Sequence, residues 1–190
     1  MKKIVSVLLL MFTFLSFSNN LDKYESKRIF EQGMKYIVAQ DYKAYRQDPE
    51  MSIFMELISS EADFKAMSGF SKKNKYEVTK VKETNNKSTL DVRVNYVSYD
   101  SLSDEEFVSA FLESLSDLGI SPDSINSKNA ILIYEKLYEK YNHKGVMKTK
   151  NIKVTMNKAN GLWGINYDKN LDLISTLSVF PTKFFDLMMR

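Results

Sequence analysis

Ile152-Lys153-Val154-Thr155-Met156-Asn157-Lys158-Ala159-Asn160-Gly161-Leu162-Trp163-Gly164-Ile165 is the stretch that decides the fold. Ile152, Val154 and Met156 alternate with polar residues, the period of a half-buried strand. Asn160-Gly161 follows, and both central positions of a tight hairpin turn want positive φ. Trp163, Ile165 and Tyr167 then alternate on a return strand. The stretch predicts an antiparallel hairpin with its apolar face turned to a core, and Trp163 buried against helices from the start of the chain.

A second alternating run lies upstream. Leu90, Val92, Val94 and Tyr96 interleave with Asp91, Arg93 and Asn95. Tyr76-Glu77-Val78-Thr79 opens its partner, Val81 marks a bulge or a change of face, and Asn85-Asn86-Lys87 is the turn. Together they read as another hairpin.

The rest of the chain has helical spacing. Ile29, Phe30, Gly33, Met34, Ile37 and Val38 make one apolar stripe within about residues 22–45. Asp41 is placed to cap a new turn after a break at Gln40, and Asp48-Pro49 should interrupt the helix because proline disfavours helical geometry before it. Met51 to Met67 reads as helix again, stopped by Ser68-Gly69. Between the hairpins, Ser103-Asp104-Glu105-Glu106 has the spacing of a capping box. Phe107, Phe111, Leu115 and Leu118 form the stripe behind it, and Gly119 ends it. Ser121-Pro122 restarts the chain. Ala130, Ile131, Tyr134, Leu137, Tyr138 and Tyr141 make the next helix. Leu171 to Met189 is apolar and helical in pattern, with Pro181 as a break. The expected fold is α+β: N-terminal helices packed on a curved antiparallel sheet, with a helical insert at about 103–141 between two hairpins.

The first residues set the compartment. Lys2-Lys3 precedes an apolar run from Ile4 to Phe17, and Ser16 and Ser18 put small residues at −3 and −1 of a cleavage site. That is the grammar of a secretory signal peptide over residues 1–18, with residues 19–190 as a single domain. The run is short of the about 20 apolar residues that a span needs. There is no cysteine, so neither a lipid-anchoring cysteine nor a disulfide is available. The expectation is an exported protein, periplasmic or extracellular, not lipid-anchored and without a membrane span after cleavage. Phe180, Phe184, Phe185, Leu187, Met188 and Met189 are apolar for a chain terminus. They either pack on their own domain or form an interface.

Charge narrows the partners. The chain has 27 basic and 24 acidic residues, and cleavage removes Lys2 and Lys3. The remaining balance is near neutral and offers no electrostatic case for nucleic acid. Lys72-Lys73-Asn74-Lys75 is the densest basic cluster and reads as a solvated loop before a strand.

Chemistry is sparse. His143 is the single histidine and sits in a turn after a helix, where a general base would lack a pocket and an orienting partner. With no cysteine and one histidine, a typical zinc site is excluded. The acids of Asp100-Ser101-Leu102-Ser103-Asp104-Glu105-Glu106 lack the glycine and terminal spacing of a calcium loop, and helix capping explains them. No phosphate loop or serine elbow is present. No catalytic residue, metal site or cofactor is assigned, and the binding residues are left open.

At Ala39-Gln40-Asp41-Tyr42-Lys43-Ala44-Tyr45, Lys75-Tyr76-Glu77-Val78, the Leu90–Tyr96 strand and the Asn160-Gly161-Leu162-Trp163-Gly164-Ile165 ending, the chain resembles secreted and lipoprotein-type members of the nuclear-transport-factor-like, or cystatin-like, α+β superfamily. The resemblance implies helices on a sheet and covers most of the mature chain. The segment from Ser103 to Tyr141 departs from the family outline, and the lipobox cysteine is absent. The superfamily holds enzymes and non-enzymes alike. The expected function is a non-catalytic exported or envelope domain that binds a small apolar ligand or a protein partner, with a homodimer left open. One alternative is a small-pocket enzyme using a tyrosine and a carboxylate for proton transfer. Another is a structural or colonisation factor.

Overall fold

The computed structural model describes residues 21–177, apart from Glu56, Leu57, Ser59, Phe70, Asp100 and Ser101. The expectations for the signal segment and for the tail beyond Leu177 lie outside the described residues. Helices α1 (Glu25–Ala39), α2 (Tyr42–Gln47) and α3 (Glu61–Ser68) precede strands β1 (Lys75–Glu83) and β2 (Lys87–Ser98). Helices α4 (Asp104–Leu118) and α5 (Ser127–Tyr141) follow. Strands β3 (Val146–Ala159) and β4 (Leu162–Ile165) and helix α6 (Leu171–Leu177) complete the order. The four strands form one antiparallel sheet in the order β1-β2-β3-β4. The α+β class, the helices ahead of the sheet and the insert between two hairpins are all as expected.

Local chemistry sets the boundaries. Gln40 takes a left-handed conformation after α1, and the Asp41 side chain accepts from the Ala44 N–H to open α2. Asp48 is extended before Pro49 and ends it. Ser103 and Glu106 close both bonds of the capping box on α4, and Gly119 ends that helix at φ 64°. The β3–β4 turn has Asn160 at φ 52° and Gly161 at φ 83°. The register between β1 and β2 slips between Val78 and Lys80. This bulge returns Val81 to the same buried face as Val78.

Two expectations fail. Met51–Met67 is not one helix. A 3-10 turn at Pro49–Met51 leads into turns at residues 52–54 and a bridge at Met55, and α3 begins at Glu61. Tertiary pairing overrides the helical spacing. The Phe54 carbonyl accepts the Ile165 N–H at 2.7 Å, and Met55 bridges Ile165 in parallel beside β4. Gly164 permits this crossing, since a Cβ there would stand 2.4 Å from the Ile53 carbonyl oxygen. Ser60 and Asp63 then form a capping box that starts α3 afresh. The return strand is also shorter than expected. It stops at Ile165, and Tyr167 opens a 3-10 turn.

Leu90, Val92 and Val94 of β2 and Ile152, Val154 and Met156 of β3 face one side and are buried beneath α1, α3 and α6. Phe30, Phe54 and Phe64 are fully inaccessible there. Trp163 is buried in the same core, as expected, and it donates from Nε1 to Glu25 of α1. Beyond Tyr96 the burial of β2 changes phase. Val97 and Tyr99 join Phe107, Leu115, Ile133 and Leu137 in a second core under the insert. Two buried asparagines tie α6 to the sheet. Asn170 accepts from the Thr155 N–H and donates to its carbonyl, both at 2.8 Å. Asn74 donates to the Thr176 carbonyl at 2.8 Å and accepts from the Val97 N–H at 3.0 Å. No described helix is long and apolar enough to cross a membrane.

Candidate functional site

His143 is exposed in the short turn Asn142–Lys144 that closes α5. Among the described residues no group bonds its ring. Of the acids near the insert, Glu106 accepts from the Ser103 N–H at 3.0 Å and pairs with Lys144 at 3.1 Å. Both contacts hold its carboxyl below the usual range, the Ser103 N–H most. No described group of three or more histidine, aspartate or glutamate side chains is placed to hold a metal. The lysine cluster is dispersed. Lys72 lies over the Tyr138 ring at 5.0 Å, Asn74 is buried, and Lys75 begins β1.

A groove of about 510 Å³ runs along α1 from Lys27 to Tyr36, with Asp22 at its end. It is where a tyrosine meets a carboxylate. The Tyr36 hydroxyl donates to Asp48 Oδ2 at 3.0 Å, and Gln32 Nε2 donates to the same oxygen. The other Asp48 oxygen accepts from the Glu50 N–H at 2.9 Å. Several other charges of the groove are paired, while Lys35 is exposed. Lys27 meets Asp22 at 2.7 Å and Glu31 at 3.1 Å. Arg28 grips Glu50 through two bonds of 2.7 and 2.6 Å. Those bonds hold the Glu50 carboxyl below its usual value. A general base needs an unoccupied lone pair aimed at its substrate. Here three donors engage Asp48, and its geometry is that of a turn cap beside α2.

The buried tyrosines are likewise committed to packing. Burial pushes the Tyr45 and Tyr76 hydroxyls up to about 12. Tyr76 is further engaged by Asn74 and Thr176. A second groove of about 230 Å³ lies between α3 and α5, where Lys65 pairs with Glu135 at 3.5 Å.

The two faces of the sheet differ sharply. The apolar face is filled by the chain's own phenylalanines and by Leu173, all fully buried. The opposite face is polar and lies in cross-strand rows set by the register. They are Lys75–Asn95–Thr149, Glu77–Arg93–Asn151, Lys80–Asp91–Lys153 and Lys82–Thr89–Thr155. Arg93 pairs with Glu77 at 3.2 Å, and Thr149 donates to Asn95 at 2.7 Å. An antiparallel sheet buried on one side and wet on the other has this pattern. Sequence reasoning found the alternation but not the rows, because cross-strand register depends on the bulge and on the long β2–β3 connection.

No protein-family model matches the chain, and no curated protein does. The fold is similar to part of a crystal structure of a protein from Bacillus subtilis described as a candidate lipoprotein. Identity is 16%, the TM-score is 0.36, and the match covers 77% of this chain and 44% of that one. The chain thus spans less than half of that protein's length.

Proposed function

We propose that this chain is an exported, non-catalytic domain that binds a protein partner. The observation that carries the reading is the filled apolar face of the sheet. Phe30, Phe54 and Phe64 occupy the space over Leu90, Val94, Val154 and Met156, where a small apolar ligand would sit between helices and sheet. Ligand pockets of that kind run to about 300–1,000 Å³ and are mostly apolar. The grooves along α1 and between α3 and α5 are surface features lined largely by charged and polar side chains.

The order of helices, hairpin, insert and hairpin supports membership of the nuclear-transport-factor-like superfamily, in a form with a closed core. Lys2-Lys3, the Ile4–Phe17 run and the Ser16/Ser18 pair support export, and the lack of any cysteine supports a protein without a lipid anchor. Apolar residues stand exposed on the insert, Leu112 and Leu132 among them, each about half accessible. Exposed apolar surface is commonly used in contacts between proteins.

Titration with a fluorescent fatty-acid probe tests the choice between ligand and protein. The expected outcome is no saturable binding at one probe per chain. Stoichiometric uptake, with the probe's emission shifted to that of an apolar site, would assign the core to a small ligand instead.

A further inference from the structure

The β2–β3 ladder runs from Lys87–Asn157 to Ser98–Val146 without a bulge. The Lys158 N–H donates to the Asn86 carbonyl, so even-numbered residues of β3 turn their backbone toward β2. The odd-numbered residues therefore turn theirs to the other side. There β4 pairs only over Met156–Ala159, and Asn170 takes both backbone groups of Thr155. Met147, Thr149, Asn151 and Lys153 have no such neighbour among the described residues. No described residue bonds their outward N–H and C=O groups. This open edge is about 20 Å long at strand rise.

The two sheet edges are not alike. β1 carries a bulge and exposed Lys75, Lys80 and Lys82, which are devices that discourage pairing with another strand. The β3 edge is straight, and Val146 and Met147 are 55% and 52% exposed at its start. Charge narrows what it can accept. Residues 144–167 contain Lys144, Lys148, Lys150, Lys153 and Lys158 and no acid. A second copy pairing edge to edge would set this lysine-rich strand against itself, and like charges facing each other across strands are destabilising.

We infer that the β3 edge from Met147 to Lys153 is a strand-addition site for an extended acidic segment of a protein partner. The inference rests on the protein-binding reading above and deepens it. Backbone bonds to Met147, Thr149, Asn151 and Lys153 would supply register-independent affinity, as in other β-strand additions. Acidic side chains of the added strand would lie on the face of Lys150, and apolar ones on the opposite face, beside Met147.

The test uses the full processed chain at low salt and a labelled eight-residue peptide alternating glutamate with valine. Its control is the same peptide with lysine in place of glutamate. Amide exchange read residue by residue should slow at least tenfold at Met147, Thr149, Asn151 and Lys153 with the acidic peptide. The amides of Lys148, Lys150 and Ile152, already turned to β2, should not change. Asn151→Pro removes one outward donor while sparing the β2 ladder, and should weaken the acidic peptide at least tenfold with the unfolding midpoint kept. Thr149→Pro is the second such variant, and the exchange pattern of the unsubstituted chain decides the matter should both fail to fold. Binding should also weaken several-fold from 50 to 500 mM salt.

Three results would overturn the inference: no protection at the four amides, equal binding of the lysine peptide, or protection already present without peptide. The last would assign the edge to the chain's own tail or to a second copy. None of them touches the wider reading, which falls only on stoichiometric uptake of an apolar probe.

Discussion

Trp163 Nε1 donates to Glu25 Oε2 at 2.9 Å, joining the last strand of the sheet to the first turn of α1 across 138 positions of sequence. Lys158 reaches the same carboxylate oxygen at 2.5 Å and lies over the indole ring at 5.4 Å. The indole itself is buried in the main core. Trp163→Ala should therefore cost about 3–5 kcal/mol, the range for emptying a buried tryptophan site. Urea unfolding of the two proteins measures it, and an unchanged midpoint would contradict the placement.

The same carboxylate gives a pH dependence. Bonds from Lys158 first, and then from Trp163, lower the Glu25 pKa from its usual 4.5. A group whose pKa is lower when folded contributes stability above its unfolded value, and loses it as pH falls through the folded one. Glu25→Gln should thus be less stable than the parent at neutral pH. The difference should shrink as pH falls below about 4.5. A difference that is constant from pH 7 to pH 3 would show that the ionised carboxylate is not what the contact uses.

Gly33 lies under the Phe54 ring, and a Cβ there would stand 2.1 Å from Phe54 Cε1. Alanine is ordinarily favoured over glycine inside a helix by about 1 kcal/mol. Here overpacking should win. Gly33→Ala is expected to destabilise by about 1–3 kcal/mol, and the double variant with Phe54→Leu should recover part of the loss. Thermal unfolding of the single and double variants tests both statements.

How much of this could be read from the chain depended on the range of the interaction. The capping box at Ser103 and Glu106, the Asn160-Gly161 turn and the alternation from Ile152 to Met156 are local, and their outcomes match their spacing. Met51–Ile58 has buried residues at helical spacing, yet the Ile165 N–H claims the Phe54 carbonyl from more than a hundred residues away. Nothing within the segment announces that. The phase change of β2 at Tyr96, which sends Val97 to the second core, has the same character. Asn74 and Asn170 look like loop residues in sequence. Their role appears only once α6 lies on the sheet. The open β3 edge was hidden for a related reason, since it depends on where β4 stops.

Asn170 is 1% exposed and satisfies both backbone groups of Thr155. Asn170→Ala would leave them without their partners. The expected cost is about 1–3 kcal/mol, the penalty for a buried polar group stripped of its bond. Amide exchange offers a sharper readout: Thr155 should speed up while Ile152, paired on the β2 side, should not. Equal acceleration of both would mean a general loosening of the sheet.

Export carries its own expectation. The Ser16 and Ser18 spacing places cleavage after Ser18, so the exported protein should begin at Asn19. N-terminal sequencing of material recovered outside the cytoplasm checks it. A chain that still begins at Met1 would mean that the segment is an anchor, or is not a signal.

Native mass spectrometry of the chain, recovered under mild conditions from the compartment to which it is exported, bears most directly on the central claim. If the core is closed and the surface serves a protein, the spectrum should contain the processed chain alone or joined to another polypeptide. A processed chain carrying one small apolar molecule per copy, released on unfolding, would contradict the account.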